Sequence, residues 1–257
     1  MSLTTIIGRG HSGTRAMSHT LSQSGVFMGD WLNDSGDLLP GWPIFKAAAV
    51  MSRYIVWKGG TEWDFSRLHT MPIPDEFKWF MDEYLRSLLG REEEHLGWKL
   101  PESTLIYPWV VRLYPDVQYI YWVRNPQDCI LGSHLTDDLH EFGVAYPTPD
   151  YFMPRNPIQG DSKEWWARVQ RAVSWKYQYD IVQATPKPKW WYQVKFEDFV
   201  QHQDATLTPL ESKLGIPLTR IPVQSEAVGR YLKVGKYTCF DFLRKPMQEL
   251  GYVADHE

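Results

Sequence analysis

The segment IIGRGHSGTRAM, residues 6–17, combines the glycines, hydroxyls and cations that bind phosphate groups. Gly8 and Gly13 are separated by four residues, and Thr14 follows directly. This spacing is nearly that of a phosphate-binding P-loop, in which the second Gly is followed by Lys and then by Ser or Thr. Thr14 occupies the position of the Lys that reaches the β and γ phosphates of a nucleotide. The loop is therefore expected to hold an anion that does not need this cation.

A strand-to-helix turn supplies the physical basis for anion binding here. Residues 4–8 predict a short apolar strand, and residues 14 to about 24 predict a helix with Met17 and Leu21 on one face. The turn between them can present backbone N–H groups and a helix N-terminus to an anion. Arg15 would lie in the first helical turn, where its charge opposes the helix dipole unless an anion lies nearby. An ordinary strand–turn–helix link with a solvated Arg15 is the alternative.

A second cation follows the apolar run at 117–123, which is typical of a strand buried on both faces of a parallel sheet. Arg124 comes directly after this run, Asn125 is suited to cap a helix, and Pro126 suits the first helical position. Because the carboxyl ends of parallel strands meet at one edge of the sheet, Arg124 should face the same edge as the P-loop and clamp a second phosphate. An ion pair with Asp128 is the structural alternative.

Strands and helices alternate along the chain. This order predicts an α/β fold with a central, mostly parallel sheet flanked by helices, like that of P-loop nucleotide-binding proteins, and we expect residues 1–257 to form a single domain. The further predicted elements are a helix at 74–90, a helix at roughly 163–184, a strand at 190–196 and a helix at about 204–214.

Composition and charge exclude several classes of function. The formal net charge of −4 argues against a nucleic-acid partner. Cys129 and Cys239 are far apart and lack metal-ligand spacing, which fits a reducing compartment and no disulfide scaffold. A run of about 18 apolar residues and a signal peptide are both missing, so we expect no membrane span and a cytoplasmic location. The oligomeric state is not predicted.

Together, the two motifs resemble those of the sulfotransferase superfamily, which transfers a sulfuryl group from 3′-phosphoadenosine 5′-phosphosulfate (PAPS). HSGT, residues 11–14, is similar to the family loop of Lys or Arg, Ser or Gly, Gly and Thr that holds the 5′-phosphosulfate. Arg124-Asn-Pro is similar to the family strand end that, with a Ser on the following helix, holds the 3′-phosphate. Ser133 lies one position later than that Ser. Phe196, in VKFEDFV, stands where the family has a Tyr and keeps a ring for stacking.

The resemblance implies a set of donor-binding residues and no metal. His11 stands where the family has Lys or Arg, so either a protonated imidazole or one of two neighbouring arginines would supply the charge. The implied donor-binding residues are Arg9, Gly10, His11, Ser12, Gly13, Thr14, Arg15, Arg124, Ser133 and Phe196.

The acceptor would be a small molecule or carbohydrate whose hydroxyl or amine attacks the donor sulfur in line. This chemistry needs a general base. Similar branches of the family carry a carboxylate shortly after the first helix, which here corresponds to Asp30, Asp34 or Asp37. GWKLPES, residues 97–103, looks like the family's Lys and Pro after a middle strand, so Lys99 would orient donor or acceptor, with Glu102 at the same edge. The proline-containing segment 143–160 would form an acceptor wall or lid.

Two other functions stay open from the sequence. A P-loop kinase acting on a small molecule or nucleotide would use ATP, but the missing Lys and the Arg124 motif argue against it. A non-catalytic module that binds adenosine 3′,5′-bisphosphate is favoured by the departure at His11.

Overall fold

A computed structural model of the chain describes residues 2–147, 163–234 and 238–252. Four strands form a parallel sheet in the order β4–β1–β5–β6, and two further strands form an antiparallel hairpin. The sheet strands are β1 at Ser2–Ile7, β4 at His95–Lys99, β5 at Gln118–Val123 and β6 at Trp191–Lys195, and the hairpin strands are β2 at Val56–Gly59 and β3 at Glu62–Asp64. The predicted α/β fold with a central parallel sheet is confirmed.

Helices flank this sheet. None of those in the described residues is long and apolar enough to cross a membrane. The described α-helices are α1 at Thr14–Gln23, α2 at Trp42–Ser52, α3 at Ser66–Thr70, α4 at Asp75–Leu89, α5 at Tyr107–Leu113, α6 at Pro126–Cys129, α7 at Lys163–Ala184, α8 at Phe196–Gln201, α9 at Gln203–Leu214, α10 at Tyr231–Val234 and α11 at Asp241–Glu249. Short 3-10 helices lie at Pro101–Ile106, Leu135–Asp137, Leu139–Phe142 and Ser225–Ala227.

Strand β5 shows why the sheet lies in the interior. Tyr119, Tyr121 and Val123 belong to one hydrophobic cluster, whereas Ile120 and Trp122 belong to another. Because successive side chains of a strand point to opposite faces, the two clusters cover the two faces of the sheet. The continuous apolar run in the sequence is the direct result of this burial on both sides.

Helix α4 buries the residues that its periodicity predicted. Phe77, Met81, Tyr84, Leu85 and Leu88 are buried on one face. The acidic first turn and the Pro before it agree with the preferences of a helix N-terminus. The helix therefore packs through an apolar stripe, chiefly against α2.

The strand order places three loops together. Strand β1 lies between β4 and β5, so the loops that follow these three strands leave the same edge of the sheet. Ligands of open parallel sheets bind in the crevice outside the carboxyl ends of the strands. Helix α2 and the β2–β3 hairpin were not predicted from the sequence. The predicted acceptor loop at 143–160 lies, from residue 148 onward, outside the described residues.

Candidate active site

A cavity of about 480 Å³ opens at this edge of the sheet. Residues at or after the carboxyl ends of β1, β4, β5 and β6 line it together with the segment 221–230. The predicted site residues that line the cavity are Gly10, His11, Gly13, Thr14, Arg15, Asp37, Lys99, Arg124 and Phe196.

The loop after β1 is shaped by its contacts with β5. Gly8 approaches that strand so closely that a Cβ would come within 2.6 Å of the Trp122 carbonyl oxygen. The Trp122 Nε1 donates a hydrogen bond of 2.9 Å to the Ser12 carbonyl oxygen. Gly13 caps α1 with φ at 90°, and a Cβ there would lie 2.6 Å from the Phe196 ring. Both glycines are therefore required by close approach, and Gly13 also by its left-handed backbone.

His11 stands at the rim of this loop in an unusual backbone conformation. Its φ of 59° is left-handed, a region that residues with a Cβ enter at a cost of about 1 kcal/mol or more. Partial desolvation of the ring, together with the Arg9 charge, lowers the pKa of His11. At neutral pH the imidazole therefore does not replace the permanent cation of a Lys or Arg in the absence of ligand.

Arg9 points away from the cavity. Its buried guanidinium forms an ion pair with Asp137 and donates to the carbonyl oxygens of Gly10 (3.0 Å) and Cys129 (3.2 Å). This placement corrects the expectation that the Arg9 side chain reaches the donor. A buried cation needs a buried counter-charge, and Asp137 supplies it behind the loop. Ser12 also turns back, since its Oγ donates to the Arg9 carbonyl oxygen at 2.5 Å.

Arg124 reaches the cavity as predicted. Its guanidinium carbon lies 4.3 Å from the centre of the Phe196 ring, and Nη1 donates to the His11 carbonyl oxygen at 3.2 Å. Nη2 donates to the Ala227 carbonyl oxygen and lies 3.4 Å from an Asp128 carboxylate oxygen. The structural alternative, a contact with Asp128, is thus present, and the clamp on a phosphate stays a prediction. The guanidinium is oriented by its neighbours before a ligand arrives.

Asp128 also organises the segment that closes the cavity from the other side. Its carboxylate accepts backbone hydrogen bonds from Gly229 (2.8 Å) and Tyr231 (2.9 Å). Arg230, between them, lines the cavity and faces the same space as Arg124. Arg230 was not predicted from the sequence as a site residue, although the segment that carries it follows the last predicted helix.

Ser133 does not reach the cavity. Helix α6 ends at Cys129, so Ser133 lies in the following loop, where it is exposed and not part of the lining. The preceding Gly132 lies against His11, because a Cβ at Gly132 would come within 2.9 Å of Nδ1. The expectation that Ser133 contacts a 3′-phosphate from a helix is therefore corrected.

Of the three candidate acids, Asp37 alone lines the cavity. Its Oδ1 accepts from the Lys99 Nζ at 2.5 Å, and Oδ2 accepts from Asn33 at 2.8 Å. Asp34 is exposed, and Asp30 is exposed and paired with Arg91 outside the cavity. This placement corrects the expectation for Asp30 as a general base.

Lys99 lies beside Asp37 with its side chain buried. Its Nζ also donates to the Ser35 carbonyl oxygen at 2.8 Å. Burial lowers the pKa of Lys99, while the Asp37 carboxylate opposes this shift. Arg15, on the same side, donates to the Ser35 hydroxyl at 2.9 Å.

His134 and Glu102 lie near each other beside the loop. His134 lines the cavity, and its Nε2 lies 3.8 Å from the Glu102 carboxylate. Burial raises the pKa of Glu102 to about 7, and burial with the charges of Arg9 and His11 lowers the pKa of His134 to about 3. His134 was missed because only its position ten residues after Arg124 could have drawn attention to it.

Comparisons with known proteins agree with this architecture. The family model described as the sulfotransferase family matches residues 5–220. The fold is similar to that of a sulfotransferase domain from the curacin biosynthetic pathway, with 13% identity, 99% of both chains covered and a TM-score of 0.53. It is also similar to a sulfotransferase from Alicyclobacillus acidocaldarius, with 14% identity, 99% of this chain and 97% of the other covered, and a TM-score of 0.49. No curated protein sequence matches the chain.

Proposed function

This chain belongs to the sulfotransferase family, and from that premise we propose that it transfers the sulfuryl group of PAPS to a hydroxyl or amine of a small molecule or carbohydrate. The observation that carries the proposal is the convergence of the P-loop and Arg124 on one cavity. PAPS bears a phosphosulfate at the 5′ position and a phosphate at the 3′ position of one ribose. A protein that binds it therefore needs two anion sites in one cavity.

Each anion has a matching part of the cavity. The backbone of the loop at 10–14 and the N-terminus of α1 would hold the phosphosulfate, because both present N–H groups to an anion. Arg124, fixed on the Phe196 ring, would hold the 3′-phosphate, with Arg230 facing it. ATP has no 3′-phosphate, so Arg124 favours PAPS over the donor of a kinase.

Asp37 is the proposed general base. The acceptor oxygen forms a bond to sulfur, and the bond between sulfur and the bridging phosphate oxygen breaks with its electron pair remaining on that oxygen. The acceptor proton passes to the Asp37 carboxylate, which lies in the same cavity as the loop. Lys99 holds this carboxylate in place through its 2.5 Å contact.

Calorimetric titration with adenosine 3′,5′-bisphosphate, PAPS and ATP with Mg²⁺ tests the proposal. We expect the bisphosphate and PAPS to bind, and Arg124→Ala to weaken both roughly 100-fold, because a buried charge pair to the 3′-phosphate is lost. Arg86→Ala is the matched control, since it removes an exposed arginine of α4 that does not line the cavity.

The other outcomes favour the other functions. Preferential binding of ATP with Mg²⁺ would favour a kinase. Tight binding of the bisphosphate without release of the sulfuryl group from PAPS, to 4-nitrophenol or to water, would favour a non-catalytic module.

A further inference from the structure

His134 contacts the P-loop directly. A Cβ at Gly10 would overlap the His134 ring, so the loop carries a glycine where this ring lies. The rings of His11 and His134 meet edge to face, with centroids 5.8 Å apart. The imidazole of His134 is thus a wall of the space proposed for the phosphosulfate.

The hydrogen bonds of His134 fix its tautomer. Nδ1 accepts from the backbone N–H of Thr136 at 3.2 Å, and the Thr136 hydroxyl lies 3.0 Å from the same nitrogen. This hydroxyl accepts from Gln178 at 3.2 Å, which leaves its own proton free to be donated to Nδ1. A backbone N–H cannot reverse its role, so Nδ1 is an acceptor and the proton of the neutral ring lies on Nε2.

The Nε2–H group has no hydrogen bond within the described residues. Its recorded contact there is the Glu102 carboxylate at 3.8 Å, which is too long for a hydrogen bond. Asp37 and Lys99 both lie close enough for their charges to act on the His134 ring. The free N–H therefore belongs to a ring that lies against Gly10 of the P-loop and lines the same cavity as the proposed base Asp37.

We propose that His134 is a catalytic residue, whose Nε2–H donates a hydrogen bond to an oxygen of the phosphosulfate as the bond from sulfur to the bridging oxygen breaks. This inference rests on the proposed function. The electron pair of the broken bond stays on the bridging oxygen, and the acceptor proton passes to Asp37 as above. His134 donates a hydrogen bond and transfers no proton. A donor fixed before reaction stabilises charge that develops only in the transition state.

The test compares three substitutions of His134. Asn keeps the acceptor that caps the 3-10 helix at Leu135–Asp137 but has no group at the position of Nε2. Gln places an amide N–H near that position, and Phe keeps the ring without either nitrogen. The probes are adenosine 3′,5′-bisphosphate for affinity, and PAPS labelled in its sulfuryl group for release to water or to 4-nitrophenol.

We expect His134→Asn and His134→Phe to lower the turnover of PAPS about 100-fold, as the loss of one oxyanion donor does in other enzymes. Affinity for the bisphosphate, which lacks the sulfuryl group, should change by less than about threefold. Affinity for PAPS should fall about fivefold, the effect of one hydrogen bond. His134→Gln should recover part of the turnover. Thermal unfolding of each variant reports whether the fold is kept.

Three results overturn the inference. If His134→Asn retains wild-type turnover and PAPS affinity while His134→Phe does not, the ring acts only as a helix cap. If bisphosphate affinity falls in parallel with PAPS affinity in every variant, the ring only supports the loop. If the wild-type chain binds neither bisphosphate nor PAPS, the proposed function itself fails and the inference fails with it.

Discussion

The loops after β1 and β5 lie side by side at the edge of the sheet, yet they direct their buried arginines in opposite ways. Arg9 turns behind the first loop to Asp137, whereas Arg124 turns into the cavity over the Phe196 ring. The first loop thus faces the cavity with backbone groups and with an imidazole whose pKa is lowered. The second faces it with a permanent charge.

This difference separates two ways of holding an anion. The conformation of the first loop is fixed by close packing at its glycines. Substitutions there should therefore change anion binding through the geometry of the loop and the protonation of His11. At the second, orientation comes from the contacts of one guanidinium, and substitutions should act through charge. An anion held by backbone N–H groups needs no permanent cation beside it, which gives a physical reason for a P-loop without Lys.

The largest expected effect is on the pH dependence of unfolding, and it tests whether solvent is excluded from the space around Glu102 behind the first loop. Glu102 has a pKa of about 7 because it is buried, so between about pH 4.5 and 7 the native state holds a proton that the unfolded state releases. The free energy of unfolding should therefore fall as pH rises through this window, by about 3 kcal/mol from this group. Glu102→Gln should remove that fall, as measured by urea unfolding at pH 5 and 7.5.

Exposed Glu92→Gln is the control for this experiment and should leave the pH dependence unchanged. If the free energy of unfolding depends on pH equally in the wild type and in Glu102→Gln, water reaches the Glu102 carboxylate. The space behind the first loop would then be open to solvent.

A smaller effect is expected from Gly10→Ala, which tests whether shape governs the first loop. The added methyl group would overlap the His134 ring, and such overpacking costs about 2 kcal/mol of unfolding free energy. The double variant Gly10→Ala with His134→Ala should recover part of this loss, because the second substitution removes the overlapping ring. Chemical unfolding of the four proteins in this cycle measures the coupling.

Gly90→Ala is the matched control, since its backbone φ is ordinary and a Cβ there meets nothing closer than 3.7 Å. Additive effects of Gly10→Ala and His134→Ala would show that the ring does not constrain the loop.

The sequence predicted those features that depend on local pattern. Strand β5 and helices α4 and α7 were predicted to within one or two residues at each end, because burial on one or both faces leaves a period in the chain. Arg124 was predicted to lie near the P-loop because it follows a strand of the sheet, whereas Asp37 was one of three candidate acids that the family resemblance implied.

Other features depend on contacts between distant residues. The Arg9 side chain is oriented by its ion pair with Asp137, which is far along the chain. The residues around Arg9 in the sequence do not indicate this partner. Ser133 was placed on a helix that in fact ends after one turn at Cys129. The role of Gly10 becomes visible only when the His134 ring is seen against it. Periodicity does not encode such contacts.

The smallest expected effect concerns the charge of His11. The pKa of His11 is lowered by desolvation and by Arg9, so the free imidazole is neutral at pH 8, and a bound anion would raise its pKa again. Binding then takes up a proton, and affinity for adenosine 3′,5′-bisphosphate should fall as pH rises. An arginine at position 11 stays charged over this range, so His11→Arg should not show this loss of affinity. The ratio of its bisphosphate affinity to that of the wild type should therefore increase about tenfold from pH 5.5 to pH 8, which is the difference between a charged and a neutral hydrogen-bond donor.

His11→Gln separates this effect from titration of the ligand phosphates, because glutamine is neutral throughout the range and any remaining pH dependence belongs to the ligand. Calorimetry on the three proteins at both pH values gives the ratios. A constant ratio of His11→Arg to wild type would mean that His11 never carries the charge at the first loop. Residues 10–13 would then hold the anion without a charged side chain of their own, in contrast with the Arg124 side.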